Sequence, residues 1–472
     1  MGATTLARKR SRPRSRTVSP WAVLVVMCVG YFLVLLDVTI VNVALPRIGS
    51  GLHAGVSGLQ WVVDGYALAL ASLMLPGGAV GDLRGHKRVV MCGLIVFGAG
   101  SLGCGVAPTT SVLVAMRVLQ GVGAALLLPG TLAIISHAFG EGPDQARAIG
   151  VWAGIGSLAL PAGPLLGGLL IGGFGWRAVF LVNVPIVAVS VVAVAMIVEE
   201  SSDPRARGLD VAGMVLGVVI LLAITFAFIE AGHAGASAPR VLAAAGVAAL
   251  STAAFVAVER RRGDEAMLPL ALFRRARFSV ANGAAATMNL GTLGTIFVLT
   301  LFLQSIQHRS PLAAGLAMIP LFAPLALIAP IAGRWVGRIG PRLPIGCGFL
   351  IAAAGLALLG GAARSSGYPA LLGAFLLWGI GLGVVTPAVV GAAIAAVPAE
   401  RAGLASAINN TARQAGGAVG IAIAGAVAGQ PEATGAFTGG FHVVAVGAAC
   451  LYVVAAVCGA LLLPGRLSLR PG

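Results

Sequence analysis

Charged residues are scarce in this chain. Of its 472 residues only 10% are charged, whereas 58% are hydrophobic and the mean hydropathy is +0.99. Soluble globular proteins carry about 25% charged residues, so the soluble and disordered classes are excluded. The 68 glycines are scattered through long apolar runs instead of forming a collagen repeat, and membrane helices use glycine for close packing. The composition therefore predicts an all-α polytopic membrane protein.

Cysteine is also rare, and its spacing excludes several chemistries. The six cysteines lie in or beside apolar runs and form no CxxC pair, so we expect small buried side chains and no metal or redox centre. The chain lacks a Gly-rich phosphate loop followed by Lys-Ser/Thr, which disfavours ATP-driven transport. It also lacks the His/Asp/Ser cluster of a membrane enzyme and the repeated polar ring of a channel. We therefore expect neither an enzyme nor a bound cofactor.

Fourteen apolar segments are long enough to cross a membrane, which takes about 20 residues each. They lie near residues 21–44, 60–80, 89–107, 111–136, 147–171, 178–198, 210–230, 239–258, 279–305, 312–334, 343–362, 369–397, 402–428 and 439–463. The first run is too long for a cleavable signal peptide and contains Asp37.

The basic residues orient these spans. With a cytoplasmic N-terminus, 24 of the 31 Lys and Arg residues fall in interior segments and five in exterior loops, as the positive-inside rule requires. The basic N-terminal tail could alternatively bind nucleic acid, but a solvated cytoplasmic face accounts for it better, so we expect no nucleic-acid partner. The sequence predicts a multi-pass protein of the cytoplasmic (inner) membrane with both termini in the cytoplasm.

The span count divides the chain into two halves. Gly78, Asp82 and Gly85 have the same spacing as Gly333, Gly337 and Gly340, a faint repeat of the kind found in transporters built from two parallel six-helix bundles. The predicted parts are a basic tail, a first six-helix half, an insert of spans 7 and 8 with cytoplasmic loops, a second six-helix half and a second tail. Their bounds are 1–20, 21–198, 199–277, 278–463 and 464–472.

Two charged residues lie deep in predicted spans, where each is costly unless paired or wet. Asp37 lies in span 1, and because desolvation disfavours a charged carboxylate, this group can take up and release a proton. Arg117 lies in span 4 and cannot readily lose its charge. We interpret Asp37 as a proton-coupling site tuned by Arg117. Structural alternatives are a hydrogen-bonding role for Asp37 and a plain salt bridge for Arg117.

Other polar residues at membrane depth indicate a central substrate cavity. Gln120 shares a helical face with Arg117, and in span 13 Asn410 and Gln414 are four residues apart, as are Asn409 and Arg413. Packing between helices is an equal alternative for the span-13 residues, and a solvated position at the membrane interface is the alternative for Asp64. The predicted cavity residues are Asn42, Asp64, Gln120, Asn410, Arg413 and Gln414.

Two further motifs predict moving parts. The loop after span 2 carries charges that could hold a cytoplasmic gate shut. The motif covers residues 78–88, and its predicted gate residues are Gly78, Asp82, Arg84, Gly85, Lys87 and Arg88. Span 5 is rich in proline, which bends helices, and in glycine, which permits close helix contact, so it is either a hinge or a packing seam. Its motif residues are Pro161, Gly163, Pro164, Gly167 and Gly168.

Taken together, these segments resemble the major facilitator superfamily, specifically its fourteen-helix drug:proton antiporter branch, over essentially the whole chain. Leu83 stands where the loop 2–3 motif usually has arginine, and Ala159 replaces the first glycine of the span-5 antiporter motif. The segments similar to family motifs are 36–46 in span 1, 78–88, 117–123 in span 4, 159–168, 176–185 and 410–417.

The resemblance implies export. The antiporter motif separates exporters from importers, and the span-4 motif is associated with proton transfer. The expected function is drug export driven by the proton motive force through alternating access, with the bilayer, protons and small lipophilic substrates, cationic ones among them, as partners of a monomer. The alternative is an exporter of one metabolite, such as a self-made antibiotic or an amino acid.

Overall fold

The computed structural model describes residues 19–140, 143–201, 210–263, 266, 268–362, 367–398 and 401–463. Residues 1–18 of the predicted N-terminal tail and the whole predicted tail 464–472 lie outside the described residues. Within the described part of the chain every regular element is a helix, so the all-α fold class is confirmed.

The helices are long, and most begin and end within a few residues of a predicted span. Their bounds are α1 Pro20–Leu52, α2 Val56–Arg84, α3 His86–Gly105, α4 Thr110–Phe139, α5 Pro143–Phe174, α6 Ala178–Leu181, α7 Asn183–Ile197, α8 Val211–Ala234, α9 Pro239–Arg262, α10 Leu270–Phe273, α11 Ala276–Leu301, α12 Pro311–Ile339, α13 Arg342–Leu359, α14 Tyr368–Ala395, α15 Ala402–Ala428 and α16 Thr434–Leu462. A π-helical turn, Phe302–Ile306, prolongs α11.

The number of apolar membrane spans is lower than predicted. Among the described residues 12 helices are long and apolar enough to cross a membrane, and the count reaches 13 if the bent α5 is one span. The predicted fourteen is therefore not confirmed. The predicted span 402–428 does form a helix, the 27-residue α15, but Asn409, Asn410, Arg413 and Gln414 lower its hydropathy.

Local sequence explains where several helices begin. Thr109, Asp210 and Ser310 each accept a main-chain N–H three residues further on, at 3.3, 2.9 and 3.2 Å. Such N-caps satisfy main-chain donors that the first helical turn leaves free. Pro311 follows Ser310 at the first helical position, where its missing N–H costs nothing.

The helices pack as two bundles and a peripheral pair. Helices α1–α7 pack mainly on one another and form the first half, and α11–α16 do the same in the second half. The halves meet along two seams, α2 against α15 and α5 against α12. Helix α8 packs on both α2 and α15, and α9 packs on the outside of α8. The pair therefore covers the α2/α15 seam.

The described hydrogen bonds between the two halves lie toward one end of the bundle. We call this the far end; the opposite, termini end holds Pro20 and Leu462. At the far end Gln304 Nε2 donates to the Val43 oxygen at 2.9 Å, and the Val56 N–H donates to Gln430 Oε1 at 3.2 Å. The residues of α1 from 39 to 45 are all buried there.

Toward the termini end the contact between the halves includes apolar side chains. Leu75 of α2 packs against a small apolar cluster formed by Leu272 of α10 and by Phe278, Ala405 and Ile408 of the second half. In the middle of the bundle, Tyr31 on α1, Trp152 on α5 and Arg413 on α15 are partly exposed. The described hydrogen bonds between the halves therefore lie toward the far end, and these partly exposed side chains lie below them.

Candidate functional site

A buried ion pair lies at the centre of the first half. Arg117 of α4 pairs through Nη1 with Asp37 of α1, and both residues are 1% exposed. The same Nη1 donates to Gln120 Oε1 at 2.9 Å, and Nε donates to the Val62 oxygen of α2 at 2.9 Å. The guanidinium thus joins three helices. Within this pair the negative charge of Asp37 compensates the positive charge of Arg117.

Gln120 extends this pair into a polar network. Its Nε2 donates to Ser101 Oγ on α3 at 2.7 Å and approaches Asp37 Oδ1 at 3.4 Å, and Asn183 of α7 donates to the same Ser101 oxygen at 3.4 Å. The Cys104 thiol donates to Gln120 Oε1 at 3.3 Å. Gln120 is 0% exposed, so the predicted cavity residue lies inside the network and presents no surface to the space between the halves.

Tyr66 forms the floor under the guanidinium. Its ring centroid lies 4.4 Å from Arg117 Cζ, within cation–π range, and its hydroxyl donates to the Val34 oxygen at 3.0 Å. The Phe180 ring centroid lies 5.8 Å from the same Cζ, and both rings are fully buried. The Asp37–Arg117 pair is therefore enclosed by aromatic rings and shielded from solvent.

Asp64 occupies a position unlike the interface site suggested as its alternative. It is 0% exposed, and neither carboxyl oxygen has a hydrogen-bond partner among the described residues. It lies one helical turn after Gln60, whose Nε2 donates to the Ala422 oxygen of α15 at 2.9 Å. Packing of the second half against α2 therefore keeps this stretch from solvent.

The remaining predicted cavity residues fall in two places. Asn42 is 4% exposed and donates to the Val38 oxygen of its own helix at 2.7 Å, and its Oδ1 has no partner in the described part of the chain. On α15, Gln414 is 9% exposed, whereas Asn410 and Arg413 are partly exposed. The structure thus brings Asp37, Arg117 and Gln120 together in one network and places the α15 residues in the opposite half.

The loop between α2 and α3 makes its contacts within the first half. Asp82 pairs with His86 at 3.1 Å. Glu200, just after α7, accepts the Lys87 N–H at 3.0 Å and pairs with Arg88 at 3.5 Å. Gly85 has φ +99°, a left-handed conformation that favours glycine. The charges of this loop thus pair with His86 and Glu200 inside the first half, and their role in a cytoplasmic gate stays a prediction.

Two more contacts complete the description of this loop. The Lys87 ammonium donates to the Ala195 oxygen of α7 at 2.9 Å, and Arg84 is exposed. Gly78 lies on α2 with its nearest neighbour, Pro129 of α4, 3.4 Å from where a Cβ would be. Lys87 and Arg88 therefore attach the start of α3 to the end of α7.

The span-5 motif is both bent and closely packed. Helix α5 bends by 42° between its segments Arg147–Gly156 and Pro161–Phe174. A Cβ on Gly163 would overlap the Thr39 hydroxyl of α1, and one on Gly167 would lie 3.1 Å from Ile40. The main chain at Pro164 touches Gly315, and a Cβ on Gly168 would lie 2.6 Å from Leu312, both on α12. The motif therefore combines a bend with a glycine seam.

Several residues of this region were not predicted as site residues. Ser101 is one small residue among many in span 3, Glu200 lies beyond the predicted end of span 6, and His86 was assigned no role. Tyr31 and Trp152 stack with ring centroids 3.9 Å apart, although 121 residues separate them in the chain. Among these residues only Glu200 offered a cue, as an acidic residue at a helix end close to the basic loop.

Comparison with known proteins places this arrangement in a family. The model of the Major Facilitator Superfamily matches residues 27–256 and 278–471. The chain belongs to the major facilitator superfamily. It is therefore a multi-pass membrane protein of a transporter family, as the twelve or more apolar helices also indicate.

Similar proteins with names cover most of the chain. Multidrug resistance protein Stp of Mycobacterium tuberculosis is 38% identical over 84% of this chain and 74% of its own length. The tetracenomycin C resistance and export protein of Streptomyces glaucescens is 34% identical over 86% of this chain and 75% of its own. The lincomycin resistance protein of Streptomyces lincolnensis is 34% identical over 96% of both.

Solved structures support the fold. The nucleoside transporter NupG superposes with a TM-score of 0.67 over 93% of this chain and 99% of its own, at 11% identity. A bacterial homologue of the human drug peptide transporters PepT1 and PepT2 has a TM-score of 0.63 at 14% identity, over 94% of this chain and 98% of its own. At these identities the likeness concerns the fold alone.

Proposed function

We propose that this protein exports lipophilic drugs or antibiotics across the cytoplasmic membrane by alternating access, in exchange for protons. Similar proteins named for multidrug resistance, for tetracenomycin C export and for lincomycin resistance support the drug-export part. The buried Asp37–Arg117 pair is the observation that carries the proton-coupling part, because it places a titratable carboxyl beside a permanent charge.

Proton uptake at Asp37 would change the energy of this network. Arginine stays charged, so a neutral Asp37 leaves the Arg117 guanidinium without its counter-charge. Breaking a buried pair in this way costs about 3–5 kcal/mol. The network spans α1, α2, α3 and α4. Protonation of Asp37 therefore destabilises its present arrangement relative to another arrangement of these helices. This links the protonation of Asp37 to the orientation of the first half.

The proton gradient is sufficient for such a step. A potential of 100 mV is worth about 2.3 kcal/mol for each charge moved across the membrane. Entry of even one proton per cycle therefore supports accumulation of substrate outside.

Orientation follows from the charge pattern. The tails and the loops on the side of the termini hold most of the Lys and Arg residues. The positive-inside rule therefore makes the termini end cytoplasmic. Contacts such as Gln304–Val43 join the halves at the far end. We infer that the structure represents the state that accepts substrate from the cytoplasm or the inner leaflet.

The test measures proton flux driven by substrate. Purified protein in proteoliposomes that hold a pH gradient is given ethidium, a hydroxyanthraquinone or an uncharged macrolide, while an acridine dye reports the gradient. We expect at least one compound to dissipate the gradient, and Asp37→Asn to abolish this flux while leaving the protein folded. Asp144→Asn, which removes an exposed acid from the first turn of α5, is the control and should behave as wild type.

The outcomes separate the two parts of the proposal. Flux in Asp37→Asn at the wild-type rate would remove Asp37 from coupling, and no response to any compound would contradict drug:proton antiport. The same panel addresses breadth, because two of the similar proteins are named for a single antibiotic. A response to one chemical class alone would favour an exporter of a specific metabolite.

A further inference from the structure

An aromatic stack lies in the middle of the bundle, outside the Asp37–Arg117 network. The rings of Tyr31 on α1 and Trp152 on α5 are stacked, with an interplanar angle of 16°. A Cβ on Gly156 would lie against the Tyr31 ring, so α5 packs closely on this side of the stack. Both side chains are partly exposed, and the buried indole N–H of Trp152 has no acceptor among the described residues.

A cation from the opposite half lies within electrostatic range of this stack. The Arg413 guanidinium of α15 is within electrostatic range of the Tyr31 hydroxyl. Among the described residues Arg413 forms no ion pair, and its Nε has no hydrogen-bond partner. Arg117, in contrast, is neutralised by Asp37 and donates to Val62. Arg413 is thus an arginine at membrane depth with no acidic partner in the part of the chain that the structure describes.

The charges in this region leave a positive site. Asp37 is paired with Arg117, and Asp64 is 0% exposed, so neither carboxylate can meet a ligand between the halves in this state. Arg413 and the Tyr31–Trp152 stack are partly exposed. A ligand there meets a flat aromatic surface and a guanidinium that forms no ion pair among the described residues.

We propose that Tyr31, Trp152 and Arg413 form the substrate-recognition site, and that it selects planar aromatic molecules carrying an anionic oxygen. Such an oxygen, a phenolate or a carboxylate, accepts hydrogen bonds from Arg413, and charge-assisted bonds to guanidinium are strong. The ring system lies against the aromatic pair, where offset or edge contacts are favourable. A lipophilic cation would instead place its charge beside an uncompensated arginine, which like-charge repulsion disfavours.

This inference rests on the proposed export function for its biological meaning, but binding tests it separately. Fluorescein and rhodamine 123 share a planar xanthene ring and carry opposite charges. Fluorescence anisotropy with the full chain in nanodiscs gives the dissociation constant of each dye. We expect fluorescein to bind at least tenfold more tightly than rhodamine 123.

Variants assign the preference to residues. Arg413→Gln should weaken fluorescein binding about tenfold, the loss of one charge-assisted contact, while rhodamine 123 binds equally or better. Arg413→Lys should retain part of the preference, and Trp152→Ala should weaken both dyes. Arg309→Gln is the matched control, because Arg309 also lies over an aromatic ring, Tyr368 at 5.7 Å, but near the far end.

The results are decisive in either direction. Tighter binding of rhodamine 123, or an unchanged charge preference in folded Arg413→Gln or Arg413→Lys, would overturn the site. Selective binding of fluorescein without substrate-driven proton flux would leave the site standing and contradict the antiport function. Proton flux driven best by cations would support the antiport function and contradict the proposed site.

Discussion

Gln60 on α2 reaches across to the main chain of α15. Its Nε2 lies 2.9 Å from the Ala422 oxygen and 3.3 Å from the Ile421 oxygen, and the side chain is 1% exposed. A buried amide that bonds to carbonyl groups of the other half must lose those bonds when the far end opens. Gln60 therefore stabilises the state in which α2 and α15 are in contact at the far end, and in this sense it is a lock between the halves.

Replacing Gln60 by Ala should shift the protein toward a state open at the far end. Each hydrogen bond contributes about 0.5–1.5 kcal/mol net, so the open fraction should rise about 2- to 12-fold. Spin labels at Gly172 on α5 and Gly435 on α16, both exposed with free space around them, report the distance. Thr252→Ala on α9, which loses a bond to its own helix, should leave the distances unchanged, and equal distributions in all three proteins would contradict the lock.

Gly163→Ala should destabilise the protein because the new methyl group meets the Thr39 hydroxyl and the Ile40 N–H of α1. Overpacking of this kind costs about 1–3 kcal/mol, and we expect a lower thermal unfolding temperature in detergent. Gly172→Ala on the same helix is the control, since nothing lies within 4 Å of its Cβ position. If the two variants unfold at the same temperature, the α1/α5 seam does not depend on Gly163.

Glu200→Ala should loosen the start of α3. Glu200 accepts the Lys87 N–H, and losing an acceptor at a helix N-terminus costs about 1 kcal/mol. Arg88→Ala should cost less, because the Arg88 side chain is 80% exposed and exposed ion pairs contribute about 0–1 kcal/mol. The backbone amide exchange rates of residues 86–91 measure both effects, and the rate in Glu200→Gln should lie between those of Glu200→Ala and Arg88→Ala. Faster exchange in Arg88→Ala than in Glu200→Ala would contradict the assignment.

Tyr452→Phe should weaken the second half without changing proton coupling. The Tyr452 hydroxyl donates to the Met288 oxygen at 2.6 Å and lies 2.7 Å from Thr292 Oγ1. Leaving these buried groups unsatisfied costs about 1–3 kcal/mol. The unfolding temperature should fall while substrate-driven proton flux at equal protein remains. Tyr368→Phe, near the far end, should change neither quantity, and a loss of flux in folded Tyr452→Phe would show a wider role.

Much of the fold could be predicted from the positions of the long apolar segments alone. The predicted spans 178–198, 239–258 and 402–428 begin at the same residues as α6, α9 and α15. The predictions were less accurate at ends such as that of α1, which continues through Pro46 to Leu52. Hydropathy marks the hydrocarbon-crossing part of a helix, whereas Ala54 N and His53 N bond back to α1 beyond it.

The candidate site could be predicted in its charges but not in its partners. Asp37 and Arg117 stand out because charge at membrane depth is costly, and the structure pairs them. The enclosure of Asp64 depends on α15 packing across α2, which no local pattern in α2 encodes. The proton-coupling role of Asp37 and the cavity roles of Asn42, Asn410 and Gln414 stay predictions.

Within the described part of the chain, helices α8 and α9 cover one of the two seams between the halves and leave the other uncovered. Helix α8 packs over the α2/α15 seam, and a Cβ on Gly232 would lie 2.7 Å from Ala426. Among the described helices none packs over the α5/α12 seam in the same way, and Leu327 and Trp335 of α12 are exposed. Lipid molecules can therefore contact the α5/α12 seam directly, whereas α8 and α9 separate the α2/α15 seam from the lipid.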